Sequence, residues 1–160
     1  MVLFAFAGNM DVDEFAKRFP SAAKIGVGRL PGYNFIFNKT DDDQSSKANI
    51  IQSAEPNDDV WGILIALDDS ERNKLYNNDF KLEHVNCIDG HGQIHPAEAC
   101  VAQPHAINSH LLPFDWYIEN IIHLAKLADL PQEYIEKLKL FPYKADPDKG
   151  QAKKRPNELN

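Results

Sequence analysis

The chain has 160 residues, 43% of them hydrophobic and 26% charged, with a net charge of −7. That length fits one domain and is enough to bury a real core. Residues 1–140 carry 12 Lys/Arg against 21 Asp/Glu, or −9, while residues 141–160 carry 5 against 3, or +2; an acidic body repels phosphate backbones and argues against nucleic acid as the main partner.

No apolar stretch approaches the roughly 20 residues a membrane-spanning helix needs, so no membrane association is expected. The N-terminal apolar run has no basic residue before it and soon meets Asp11, unlike a signal peptide. Two cysteines, Cys87 and Cys100, are too few for a disulfide scaffold. The reading is a cytoplasmic protein with reduced thiols, a single Cys87–Cys100 bridge across a hairpin being the alternative.

In chain order, residues 2–7 read as a central strand ending in the small residues Ala7-Gly8-Asn9. A helix over about 11–19 follows, with Asp11, Asp13 and Glu14 where the helix dipole favours acids, and Pro20 stops it. Residues 23–30 and 33–37 read as strands joined at Pro31-Gly32, with Tyr33, Phe35 and Phe37 on one face at period two. Residues 40–47 form a polar loop. Residues 48–53 and 60–67 are the next strands; the second, VWGILIAL, is almost continuously apolar and should be central. Asp68-Asp-Ser-Glu71 opens a short helix to about Asn77 as a capping box. Residues 80–88 and 93–102 make a hairpin around Asp89-Gly-His-Gly92. Two helices close the domain, 115–128 with Tyr117, Ile121, Ile122, Ala125 and Ala128 on one face, and 131–140 opened by Pro131. Residues 141–160 have no apolar periodicity and read as a disordered polar tail, leaving a domain over 1–140. Strands and helices do not alternate regularly, which predicts an α+β fold with a mixed or barrel-like sheet.

Several chemistries drop out. Gly26-Val-Gly28 is followed by Arg-Leu-Pro-Gly, so the third glycine of a dinucleotide fingerprint falls on Pro31. There is no GxSxG elbow and no CxxC pair. Cys87, His91, His95 and Cys100 share one hairpin, but their spacing matches no zinc knuckle and strand alternation divides them between faces, so no metal site is expected. Glu71 is a carboxylate near a strand end, read as a cap on its own helix rather than as a catalyst.

Four spaced segments together resemble the gamma-glutamylcyclotransferase-like superfamily. Phe4-Ala-Phe-Ala-Gly-Asn-Met10 is similar to its aromatic-Ala-Tyr-Gly-Ser-Asn-Leu/Met loop. Pro20-Ser-Ala-Ala-Lys24 leads to Gly28-Arg-Leu-Pro-Gly-Tyr-Asn-Phe35, and Asp59-Val-Trp-Gly-Ile-Leu64 resembles its E-V-W-G-V-L. Tyr117 and Ala125 precede Leu130-Pro-Gln-Glu-Tyr134, as in its helix pair. The resemblance covers roughly residues 2–140 in order. It implies a small mixed β-barrel flanked by short helices. It also implies an enzyme, monomeric or homodimeric and needing no cofactor, that acts on a small gamma-glutamyl substrate: the substrate's own α-amine closes a five-membered ring, giving 5-oxoproline and a free amine.

The resemblance places substrate contacts at Phe6, Ala7, Gly8, Asn9, Met10 and Tyr117, and the catalytic carboxylate at Asp79. The chain departs from the pattern at these points. Phe6 lacks the loop tyrosine's hydroxyl, Ala7 stands at a glycine and Gly8 at a serine. A φ > 0 at Ala7 would cost on the order of 1 kcal/mol. Aligned without gaps from Trp61-Gly62, Asp79 replaces the family's glutamate and Phe80 its glycine. Asp79 reads either as the base, one methylene short, or as a turn residue between helix and strand; a gap would put Asn78 there instead. Leu124 and Asp129 replace helix glycines. Tyr117 either reaches the pocket with its hydroxyl or packs in the core. Two functional readings stand, an active cyclotransferase and a diverged ligand-binding or interaction protein.

Overall fold

A computed structural model describes residues 1–148. Seven strands run in chain order: β1 (Val2–Ala5), β2 (Ala23–Pro31), β3 (Tyr33–Thr40), β4 (Ser46–Gln52), β5 (Asp59–Ala66), β6 (Phe80–Asp89) and β7 (Ile94–Ala102). Three helices accompany them, α1 (Val12–Ala16), α2 (Asp115–Leu127) and α3 (Gln132–Lys139). The order β1-β5-β2-β6-β7 closes into a barrel, and β3-β4 form a separate two-stranded sheet. The expected α+β fold with a small mixed barrel is what the chain adopts.

The barrel is mixed because β1 runs antiparallel to β5 but parallel to β7. β5 is central between β1 and β2, and Val60, Ile63, Leu64 and Ile65 are buried, as its apolar run requires. Gly62 permits the β1–β5 contact: a Cβ there would lie 2.2 Å from the Ala5 carbonyl oxygen. Gly32 takes φ +77° in the turn joining β2 to β3. The second sheet is docked by polar side chains. Asn49 Nδ2 donates to Asn38 Oδ1 (2.9 Å), and Asn49 Oδ1 accepts the Ala102 N–H at the end of β7 (3.0 Å). Phe35, Phe37 and Ile50 from this sheet join the barrel residues and α2 in one core.

Several expectations are corrected. β1 ends at Ala5, not residue 7, and β3 runs on to Thr40 through a bulge between Phe37 and Lys39. The segment Asp69–Leu75 is 3₁₀ rather than α-helical, and Asp68 makes no side-chain cap. The Glu71 carboxylate does not reach back to the Asp68 N–H: Ser21 donates its backbone N–H (3.0 Å) and its hydroxyl to Oε2, and Lys74 Nζ of the same segment sits 2.6 Å from Oε1. Ser21 Oγ also accepts the Asp68 N–H, the role that the capping box assigns to the Glu71 carboxylate. Cys87 and Cys100 are both free and buried, standing opposite His95 and Leu82 in the hairpin. Burial pushes both thiols up to about 12.

The expected disordered tail is ordered over its first eight residues. Phe141 packs edge-on against Phe35 (5.8 Å) and Phe37 (5.1 Å). Lys144 exchanges backbone bonds with Pro113 and Asp115, and Asp146 accepts the Trp116 indole N–H (2.8 Å). The rest of the tail lies outside the described residues.

Candidate functional site

The end of β1 forms one side of the barrel mouth. After Ala5 the chain passes through Phe6 and Ala7 into a 3₁₀ turn, Gly8–Met10. The Met10 N–H donates to Ala7 C=O (2.9 Å) and the Asp11 N–H to Gly8 C=O (3.1 Å). The amides of Ala7, Gly8 and Asn9 have no turn or loop partner among the described residues, as the first N–H groups of a turn must be. Ala7 has φ −139°, so the turn needs no left-handed residue and its Cβ carries no such penalty. Asp11 accepts the Glu14 N–H and so starts α1. Phe6 is buried and meets Phe35 edge-on (6.2 Å). The space lined by Ala5, Phe6, Ala7, Asn9 and Cys100 is a cavity of only ≈ 10 Å³, room for about one water.

Asp79 lies at the same end of the barrel. β1 is parallel to β7 with Leu3 opposite Glu98, and β6 is antiparallel to β7 with Phe80 opposite Ala102. The close of β1, the close of β7 and the start of β6 therefore meet there. The turn before β6 is built by Asn77, whose Oδ1 accepts the N–H groups of Asp79 (2.8 Å) and Phe80 (2.9 Å). Asp79 C=O accepts the Gln103 N–H (2.7 Å), and Gln103 Nε2 donates to Asn78 C=O (3.1 Å). These bonds fix the turn and leave the Asp79 carboxylate half exposed. Its Oδ2 pairs with Lys39 Nζ (3.1 Å), and its Oδ1 faces His105 Nε2 (3.6 Å).

Tyr117 is buried on the inner face of α2. Its hydroxyl accepts the Ala48 N–H of β4 (3.1 Å), its ring meets Phe37 edge-on, and Lys47 Nζ lies 4.8 Å from the ring centre. Met10 lines a cleft of ≈ 710 Å³ between α1 and α2, with Asp13, Lys24, Asn120 and His123. A second cleft of ≈ 670 Å³ lies where β1 begins, edged by the Arg72–Glu98 pair and His84. Asp79, Ala7 and Gly8 line neither. The structure thus brings Asp79 and residues 6–10 to one barrel end, and sets Tyr117 against the second sheet.

Sequence reasoning missed Lys39, His105 and Lys47. Lys39 and Lys47 stand opposite each other in the second sheet, both buried. Lys47 pairs with Asp41 and Asp43 and lies over the rings of Trp116 and Tyr117. The period-two continuation from Phe35 and Phe37 to Lys39 was the available signal, but a lysine at a strand end ordinarily points to water. Among the described residues no three His, Cys, Asp or Glu side chains are grouped as a metal site; His95 instead pairs with Asp89 (2.7 Å). No helix among the described residues is long and apolar enough to cross a membrane.

No sequence-family model and no curated protein matches the chain. Solved structures do. A gamma-glutamyl cyclotransferase matches with a TM-score of 0.80 at 26% identity, over 96% of this chain and 98% of that one. The human protein loc79017, described as uncharacterized, matches with a TM-score of 0.80 at 24% identity over 98% of both chains. YkqA from Bacillus subtilis matches at 0.72 and 21% identity, over 90% of this chain and 56% of its own. Those two show the fold; the first adds sequence likeness over nearly the whole length. With the closed mixed barrel and the loop after its first strand, they show that the chain has the fold of gamma-glutamyl cyclotransferase and its structural relatives.

Proposed function

We propose that the protein is a gamma-glutamylcyclotransferase-type enzyme, converting the gamma-glutamyl group of an amine or amino acid adduct to 5-oxoproline with release of the amine. One observation carries this reading: the Asp79 carboxylate sits at the barrel end that also holds the uncommitted amides of Ala7, Gly8 and Asn9. The nucleophile is the substrate's own α-amine, so no serine or cysteine triad is needed. Holding the γ-glutamyl arm folded brings amine and γ-carbonyl together, and such intramolecular closure supplies much of the rate. Asp79 takes a proton from the α-ammonium and returns one to the leaving nitrogen as the C–N bond breaks. The loop amides donate to the oxygen that gains charge on the γ-carbon. The free, buried thiols support a cytoplasmic setting, and the acidic body supports a small-molecule partner.

A second reading, a ligand-binding protein without turnover, is favoured by the Lys39 ion pair on Asp79 Oδ2 and by Phe6, which replaces the family's tyrosine. Incubation with a panel of gamma-glutamyl amino acids and amides, read by 5-oxoproline release, separates the two. The enzyme reading expects release by the wild type and a loss of at least about 100-fold in Asp79→Asn. No release from any member of the panel, with binding retained in calorimetry, selects the second reading.

A further inference from the structure

We propose that Lys39 and Asp79 form a dipolar clamp for the free α-amino-acid end of the ligand, the Lys39 ammonium taking its α-carboxylate and the Asp79 carboxylate its α-ammonium. The inference rests on the reading of Asp79 as the residue that meets the substrate's amine, and it assigns Lys39 a role that nothing in the sequence suggests.

The two charges differ in setting. The Lys39 side chain is only 9% exposed, whereas that of Asp79 is 45% exposed. Lys39 is held from several sides. Its backbone bridges to Ile107, the neighbouring Asn38 C=O accepts the Asn108 N–H (2.8 Å), and Asn38 Oδ1 is locked to Asn49. Its ammonium lies 5.0 Å from the Phe80 ring centre. A nearly buried ammonium needs an anionic partner, because desolvation without one is costly. Asp79 supplies it now, but from a turn open to solvent and next to His105, itself 61% exposed. Asp79 can therefore part from Lys39 when another anion replaces it.

An α-amino-acid head group is the ligand that fits such a pair. Its carboxylate and ammonium are joined through one carbon, so it inserts as an antiparallel dipole and exchanges one internal ion pair for two intermolecular ones. A ligand whose carboxylate is blocked leaves Lys39 without compensation once Asp79 turns to the amine, and a ligand with an acylated amine gives Asp79 nothing to gain. Charge-assisted hydrogen bonds of this kind discriminate by at least about tenfold each.

The test separates binding from turnover with ethionine, which carries the α-amino-acid head on an arm without a γ-carbonyl and cannot cyclise. Calorimetric titrations compare ethionine, its α-carboxamide and N-acetylethionine. Wild type is expected to prefer ethionine over both blocked forms by at least about tenfold. Lys39→Met should lose the preference over the carboxamide while keeping that over the N-acetyl form; Asp79→Asn should do the reverse; Lys39→Arg should retain both. Circular dichroism checks that each variant is folded, and the three ligands on unaltered protein give a result that needs no variant. Equal affinity of wild type for ethionine and its carboxamide, no ethionine binding, or an unchanged preference in folded Lys39→Met overturns the clamp. The clamp stands, and the cyclotransferase reading falls, if the preferences follow this pattern but no gamma-glutamyl substrate yields 5-oxoproline. The clamp alone falls if 5-oxoproline forms while the preferences ignore Lys39.

Discussion

Glu71 lies within the short 3₁₀ segment that Asp79 follows, yet they are different carboxylates. Glu71 is gripped by Lys74 and by both Ser21 donors, and these hold its carboxyl down at about 2. A carboxyl whose folded value lies below its unfolded one, about 4.3, contributes stability above that value and loses it as pH falls towards 2. Glu71→Gln should therefore melt at a lower temperature than wild type at pH 7, and the gap should close as the pH approaches 2; a gap independent of pH in thermal melts would refute the pairing. Asp79 has no such enclosure. It is one methylene shorter than the family's glutamate, and a displacement of about 1 Å can cost ~100-fold in rate. Asp79→Glu should accordingly raise 5-oxoproline release from ordinary gamma-glutamyl substrates, measured as kcat/KM. The position of Asp79 could be read by counting from Trp61-Gly62, because β5 and the segment after it run without interruption. Its partner could not. Lys39 continues the face of Phe35 and Phe37, but a lysine at a strand end ordinarily points to water, and its ion pair with Asp79 is a long-range contact with no local mark.

At the scale of elements, strand contacts depend on particular small residues. Gly62 faces the Ala5 carbonyl, a backbone atom that cannot move aside, whereas a Cβ at Gly28 would meet only the Leu64 side chain at 2.9 Å. Gly62→Ala should destabilise by about 3 kcal/mol or more and Gly28→Ala by less, as a side chain, even the buried Leu64, can shift where a backbone carbonyl cannot. Urea midpoints for the two variants check this, and equal shifts would contradict the packing described. Phe141→Ala should cost roughly 2 kcal/mol, less than a fully buried phenylalanine, by removing the ring that covers Phe35 and Phe37. That ring lies in the segment the sequence assigns to a disordered tail. Polar composition hid it, since Lys144 and Asp146 act here through Pro113, Asp115 and Trp116 rather than through an apolar stripe. The capping box failed for a related reason. Its residues are where the pattern requires, but Ser21, distant in sequence, competes for both Glu71 and Asp68.

The molecule as a whole is one cooperative body, because Phe35, Phe37 and Ile50 of the second sheet share a core with Phe4 and Leu64 of the barrel and Ile121 of α2. Far-UV and near-UV unfolding curves should coincide, the latter reporting Trp61 on β5 and Trp116 on α2; separate transitions would mean that the sheets unfold apart. The barrel was legible in the sequence because its strands are carried by apolar runs and turn glycines, which act locally. The mouth was legible only in part. The loop at residues 6–10 and Asp79 have motif positions, while Lys39 and His105 arrive there through long-range pairing with Ile107 and the turn before β6. The central claim is that the mouth closes a gamma-glutamyl arm into a ring with Asp79 as the base. The most direct measurement is carbon NMR of gamma-glutamyl-alanine labelled at the γ-carbon, mixed with wild type and with Asp79→Asn. The account predicts conversion of the amide signal to the lactam of 5-oxoproline with wild type and none above the spontaneous rate with Asp79→Asn. An unchanged amide signal with folded wild type, or equal conversion by the variant, would contradict it.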